Sequence, residues 1–224
     1  MSGGLCCAEC GLFVGARGVV GHVRLGLRGT KVFRKVVDVP TICTSIFNES
    51  FMSRIAVIHG SVRPNSAGAA VSQWAAQALS AAGHEAEVLH VADFNLPFFA
   101  EELPPRMGEP KAPESVEWNA RLAAFDAAVV VTPEYNHSVP GALKNALDFL
   151  VPSTLGEKKA GVIGYSWGGA EFSRAHLAEV LATVGASVVE PQVGLFLASD
   201  WNEGAFAPGA EREAELASLI AALA

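Results

Sequence analysis

From Met52 onward the chain switches between a two-residue and a 3.6-residue hydrophobic period. Ile55-Ala56-Val57-Ile58, closed by His59-Gly60, reads as a short buried strand. Ser66 is expected to open a helix, because Val71, Trp74, Ala75, Ala78, Leu79 and Ala82 follow at helical spacing and Gly83 can cap the end. Residues 85–91 alternate and predict a second strand. Residues 93–113 hold five prolines and predict a long loop. Next come a helix with Trp118, Leu122 and Phe125 on one face, and then residues 127–132, a strand apolar enough to be buried on both faces. Pro140 sits in the first turn of a helix that buries Leu143, Ala146, Leu147 and Leu150. Residues 160–165 predict a fourth strand, and Leu177, Val180, Leu181 and Val184 a helix that stops at Gly185. Residues 187–198 predict a fifth strand, and Leu216, Leu219, Ile220 and Leu223 a closing helix.

Five such strand–helix units in about 173 residues predict an α/β fold: a five-stranded parallel sheet with helices on both faces, each crossover right-handed. Five strands suit the flavodoxin-like three-layer order 2-1-3-4-5. Ligands bind such sheets beyond the carboxyl ends of the strands, at the switch point between strands one and three. The loops after strands one, three and four should therefore carry the site.

Composition sharpens the domain boundary. Residues 1–51 carry six Lys/Arg against three Asp/Glu, and residues 52–224 ten against twenty. The first stretch is basic, has scattered glycines and lacks a sustained period, so it is expected to be a poorly structured extension. Three readings stand: a start assigned upstream of a true initiator at Met52, a targeting or regulatory arm, or a zinc site from Cys6, Cys7, Cys10 and Cys43 whose spacing fits no standard finger. All four cysteines lie there, so the body has no thiol chemistry. Its acidity argues against a nucleic-acid partner, and no apolar run reaches the length of a bilayer span.

The first loop, Gly60-Ser61-Val62-Arg63-Pro64-Asn65-Ser66, joins a strand to a helix N-terminus, where free N–H groups and the helix dipole favour an anion. Ser61, Asn65 and Ser66 can donate hydrogen bonds and Arg63 can pair with a phosphate. The loop is neither a Walker motif nor Gly-x-Gly-x-x-Gly. An ordinary turn capped by Ser66 is the competing reading. The second loop, residues 132–141, is stiffened by Pro133 and Pro140 and offers the Tyr135 ring and the Asn136 amide, which suit a flat heteroaromatic ligand. His137 lacks an evident orienting partner, and Lys144 with Asp148 reads as a surface pair. The third loop contains Gly164-Tyr165-Ser166-Trp167-Gly168, which matches a hydrolase nucleophile elbow. After Ser166, however, the only histidine is His176, and the only acid between them is Glu171. A Ser–acid–His triad in that order is excluded as the working reading. The loop's glycines would instead let the backbone approach a ring edge.

On these loops the sequence resembles the NADPH-dependent FMN reductase family, which includes quinone, azo-dye and chromate reductases. The strongest element is Pro133-Glu134-Tyr135-Asn136-His137-Ser138-Val139-Pro140-Gly141-Ala142-Leu143-Lys144-Asn145-Ala146-Leu147-Asp148, supported by Gly60-Ser61-x-Arg63-Pro64 and by Gly168-Gly169-Ala170. The resemblance implies that Ser61, Arg63, Asn65 and Ser66 hold the FMN phosphate. It implies that Pro133, Glu134, Tyr135 and Asn136 border the ribityl chain and isoalloxazine, with Ser166, Gly168 and Gly169 near the ring. It further implies hydride transfer from NADPH or NADH through flavin N5 to a flavin, quinone or similar small-molecule acceptor. No side chain need act as acid or base. A cytoplasmic homodimer or homotetramer follows from the same likeness. The chain departs from the family pattern in having Arg63 as the one cation of its first loop and Ser166-Trp167 in place of a glycine-rich pair. A flavodoxin-like electron carrier without NAD(P)H turnover, and a redox-inactive protein that keeps the fold, are the rival classes.

Overall fold

The computed structural model describes residues 52–224 and, before them, residues 6–7, 12–15 and 18–21. The chain divides into two compact units, Met1–Asn48 and Glu49–Ala224. In the first, strands Cys6–Cys7, Leu12–Gly15 and Gly18–Gly21 form an antiparallel sheet in chain order. Cys10 and Cys43, of the four cysteines considered for zinc, lie outside the described residues.

The second unit carries the predicted alternation. Its strands are β1 (Arg54–His59), β2 (Glu85–His90), β3 (Ala127–Pro133), β4 (Lys159–Ser166), β5 (Ser187–Val188) and β6 (Val193–Phe196). They form one parallel sheet in the order β2-β1-β3-β4-β5, with β6 also on β4. The 2-1-3-4-5 order is therefore as expected. The helices are α1 (Gly68–Ala81), α2 (Pro113–Ala123), α3 (Gly141–Asp148), α4 (Pro152–Leu155), α5 (Glu171–Thr183) and α6 (Ala210–Leu223).

Strand alternation sorts the core into two layers. Ile55, Val57, Val129 and Val131 face α1 and α6, where they meet Val71, Ala75, Leu79, Leu216 and Leu219. Ala56, Ile58, Ala128 and Val130 face the opposite layer, where they meet Trp118, Leu122, Leu143, Leu147 and Leu177. A strand buried on both faces must be apolar throughout, which is why β3 reads Ala-Ala-Val-Val-Val-Thr-Pro and is buried at every position. Trp118 keeps its one polar atom satisfied by donating to the Ala146 carbonyl at 2.9 Å.

Three elements differ from the sequence reading. Helix α1 starts at Gly68, two residues after Ser66, whose Oγ accepts the Gly68 N–H and meets the Tyr165 hydroxyl of β4. The expected strand over 187–198 is two short pieces, since Pro191 between them has no N–H to donate to a ladder. Beyond it, a small hairpin of Trp201–Asn202 and Ala205–Phe206 (β7 and β8) packs Phe206 edge-on to Trp74 at 5.4 Å.

Candidate functional site

The parallel strands all deliver their carboxyl ends to one edge, and the three loops singled out in the sequence meet there. The first loop leaves β1 at His59 and reaches α1 at Gly68. Ser61 is buried, Ser66 is half-buried, and Arg63 and Asn65 are exposed. Asn65 sits in the left-handed region at φ 55°, a conformation asparagine tolerates better than most residues. Arg63 forms no ion pair among the described residues. The N–H groups of Asn65, Ser66 and Ala67 donate to no acceptor among the described residues. The loop has no acidic residue. Free N–H groups at the start of a 14-residue helix, two hydroxyls and one guanidinium form a donor set for a phosphate.

The second loop makes a tight reversal. Tyr135 and Ser138 exchange backbone hydrogen bonds at 2.9 and 3.0 Å around Asn136 and His137, both left-handed at φ 51° and 61°. Two successive positive φ values are the signature of a type I′ turn, and asparagine suits its first position. The turn projects the Tyr135 hydroxyl to within 3.3 Å of Ser61 Oγ, so the first and second loops touch. His137 is exposed and stacks on Phe172, with ring centroids 4.2 Å apart and planes 14° from parallel. Lys144 and Asp148 form the expected i, i+4 pair at 2.5 Å.

Pro133 is buried as the last residue of β3, and Glu134 turns away from the first loop. Its Oε2 accepts the N–H of Ser173 at 3.1 Å, in the first turn of α5. A carboxylate there satisfies an orphan donor and complements the helix dipole. Glu134 thus ties the second loop to the third. In the third loop, Ser166 Oγ accepts the N–H groups of Gly168 and Ala170 at 3.1 and 2.7 Å. Gly169 takes φ 76° with the Phe196 ring against it, so a side chain there would meet both strain and steric conflict. Gly168 faces open space, and Trp167 beside it is 76% exposed. His176 lies 3.4 Å from Ser138 Oγ, and Ser166 is occupied by its own turn. The nucleophile-elbow motif therefore does not assemble a triad.

Two groups escaped the sequence reading. His59 and His90 bring their Nδ1 atoms to 2.8 Å at the ends of β1 and β2, while His59 Nε2 is buried with no partner. Burial, with help from His90 and against Asp93, lowers the His59 pKa to about 4. Asn145 clamps the proline-rich loop onto α3: its Nδ2 donates to the Pro97 carbonyl at 2.7 Å and its Oδ1 accepts from the Phe99 N–H at 2.8 Å. A cleft of about 550 Å³ opens between this loop, Val62 and the start of α3. No sequence signal marked the histidine pair as a contact, since it needs β1 and β2 in register.

A doubly wound sheet in the order 2-1-3-4-5, whose switch-point loop carries free donors and no acid, defines a flavodoxin-like protein. The family model for NADPH-dependent FMN reductase matches residues 53–199. The chain belongs to that family, and it is an oxidoreductase. It is 34% identical over 147 residues to an NAD(P)H-dependent FMN reductase from Nectria sp, covering 62% of this chain and 73% of that protein. It is 43% identical over 56 residues to a quinone reductase from Escherichia coli K12, a stretch that covers 25% of this chain and 29% of that one. Among solved structures it resembles FerB, a flavoenzyme NAD(P)H:(acceptor) oxidoreductase from Paracoccus denitrificans. The TM-score is 0.62 and the identity 26%, over 77% of this chain and 95% of that one. These likenesses favour a reductase over a carrier.

Proposed function

We propose that this protein binds FMN at the edge formed by its three loops and uses NADPH or NADH to reduce a flavin, quinone or similar small-molecule acceptor. The observation that carries the reading is the donor set of residues 60–68: hydroxyls, free N–H groups and Arg63, with no carboxylate. FMN, when bound, would supply the two-electron redox chemistry between the nicotinamide and the acceptor. The chain's part is to bind, orient and shield. Ser61, Arg63, Asn65 and Ser66 hold the phosphate. Pro133, Tyr135 and Asn136 border the ribityl chain and ring, and Glu134 supports them by capping α5. Ser166, Gly168 and Gly169 form the wall at the ring edge, with the Gly168 side left open. No side chain is required to move a proton, which accords with the absence of an aligned acid–base pair in the three loops.

The reading extends to a cytoplasmic homodimer or homotetramer with no nucleic-acid or membrane partner. The acidic body supports the first exclusion. No helix among the described residues is long and apolar enough to cross a membrane. The test is direct. Purified full-length protein should take up FMN, show flavin absorbance, and oxidise NADPH or NADH with a benzoquinone at a rate that needs no protein partner. A preparation that stays colourless after FMN is added would remove the proposal. Flavin uptake with slow, partner-dependent turnover would restore the carrier.

A further inference from the structure

The chain has two tyrosines, and both hydroxyls end on serines of the first loop. Tyr135 reaches Ser61 from the second loop. Tyr165, near the end of β4, reaches Ser66 Oγ at 2.8 Å from beneath and is 5% exposed, so it cannot itself touch a ligand above the loop. A hydroxyl carries one donor and two acceptor positions. Ser66 Oγ also accepts the Gly68 N–H at 3.2 Å. When the phenol donates to Ser66, both acceptor positions of Ser66 are filled from inside the protein. Its own proton then has one direction left, outward over the free N–H groups of residues 65–67. Burial raises the Tyr165 pKa, which keeps the phenol protonated and able to donate. The contact is close: a Cβ on Gly68 would lie 2.5 Å from the Tyr165 hydroxyl oxygen and 2.8 Å from His59 Nε2. Only glycine lets the helix start sit down on this pair.

We infer that Tyr165 is a positioning residue that sets Ser66 as a hydrogen-bond donor and so makes the loop selective for a ligand that only accepts, a phosphate monoester dianion. Ser61 repeats the arrangement more loosely, taking the Arg63 N–H at 3.4 Å and the Tyr135 hydroxyl at 3.3 Å. A loop of unconstrained serines could turn its protons either way and would discriminate less between a phosphate and a neutral hydroxyl. The inference rests on the FMN reading.

The test compares FMN with riboflavin, which has the same ring and a hydroxyl where FMN has its phosphate. In the full-length protein, Tyr165→Phe is expected to weaken FMN binding about tenfold, as befits loss of one hydrogen bond to the group that meets the charge, and to leave riboflavin affinity within twofold. Ser66→Ala is expected to lose the same FMN-over-riboflavin preference, and adding Tyr165→Phe to it should change neither affinity further. Equal weakening of both flavins, no weakening, or an additive loss in the double variant would overturn the inference. If Tyr165→Phe does not fold, Ser66→Ala decides alone, and retention of the wild-type preference in it counts against the assignment. Wild-type protein that binds neither flavin would instead defeat the FMN reading, a distinguishable failure.

Discussion

The first and third loops leave the same edge of the sheet, each contains serine and glycine, and each leads into a long helix. In both loops a serine Oγ accepts N–H groups of its own turn, but the further partners differ. In the third loop Ser166 Oγ accepts two N–H groups of its own turn, and Glu134 takes a further one from the start of α5. The N–H groups of Ala170 and Ser173, at the start of α5, are thereby satisfied inside the protein. In the first loop the serines also meet the hydroxyls of Tyr135 and Tyr165, and the N–H groups of residues 65–67 have no acceptor among the described residues. Helix N-termini attract anions in general. Glu134 supplies a carboxylate at α5, and among the described residues none is supplied at α1, which is what the proposed phosphate site requires.

The comparison can be broken at several points. The largest effect is expected beneath the first loop. The folded-state pKa of His59 is lowered to about 4 from 6.5, so the unfolded chain takes up the proton first. Stability should be intact above about pH 6.5, fall as the pH drops towards 4, and carry the whole penalty below it. By linkage the loss is about 3 kcal/mol. Chemical denaturation at pH 7, 5.5 and 4 checks this, and in His59→Asn that part of the slope should vanish. An unchanged slope in that variant would show that His59 is not the group the buried site resists protonating.

Next in size is Arg63→Ala, expected to weaken FMN by about 1–3 kcal/mol, the range for hydrogen bonds to charged groups, with riboflavin little affected. A fluorescence titration measures both, and equal FMN affinity would take Arg63 out of the site. Glu134→Ala removes the substitute anion at α5. It should cost about 1 kcal/mol of stability, seen as a fall in Tm of a few degrees. If the loops differ as described, it should also leave FMN phosphate recognition, read as the FMN-to-riboflavin ratio, nearly unchanged. The smallest change is expected for Ser166→Ala, about 0.5–1 kcal/mol from two N–H groups that can turn to water. Full NADPH-dependent activity in Ser166→Ala would accord with a turn-forming serine, whereas loss of activity without loss of stability would give the hydroxyl a role at the ring.

Much of this was legible because it is local. The 3.6-residue spacing of Val71, Ala75 and Leu79 needs no partner to be read, and all three are fully buried on α1. The run in β3 announced a strand covered on both faces. Arg63, Ser61 and Ser66 could be placed in one loop because they lie within six residues of one another. What stayed hidden was set by distant partners. Ser66 is 99 residues from Tyr165, so their bond is not legible locally. The bond from Ser173 to Glu134 likewise joins residues 39 apart. The break at Pro191 turned one strand into two because ladder pairing, unlike apolar period, depends on every N–H.

The sequence by itself therefore determined the alternation of elements, the sheet's two-sided core and which loops meet at the ligand edge, since hydrophobic period and turn chemistry are properties of neighbouring residues. Only the tertiary structure decided which way each polar group points. Hydrogen bonds act over about 3 Å, and whether a serine is left to donate or a glutamate to accept depends on side chains that the fold brings to it from far along the chain.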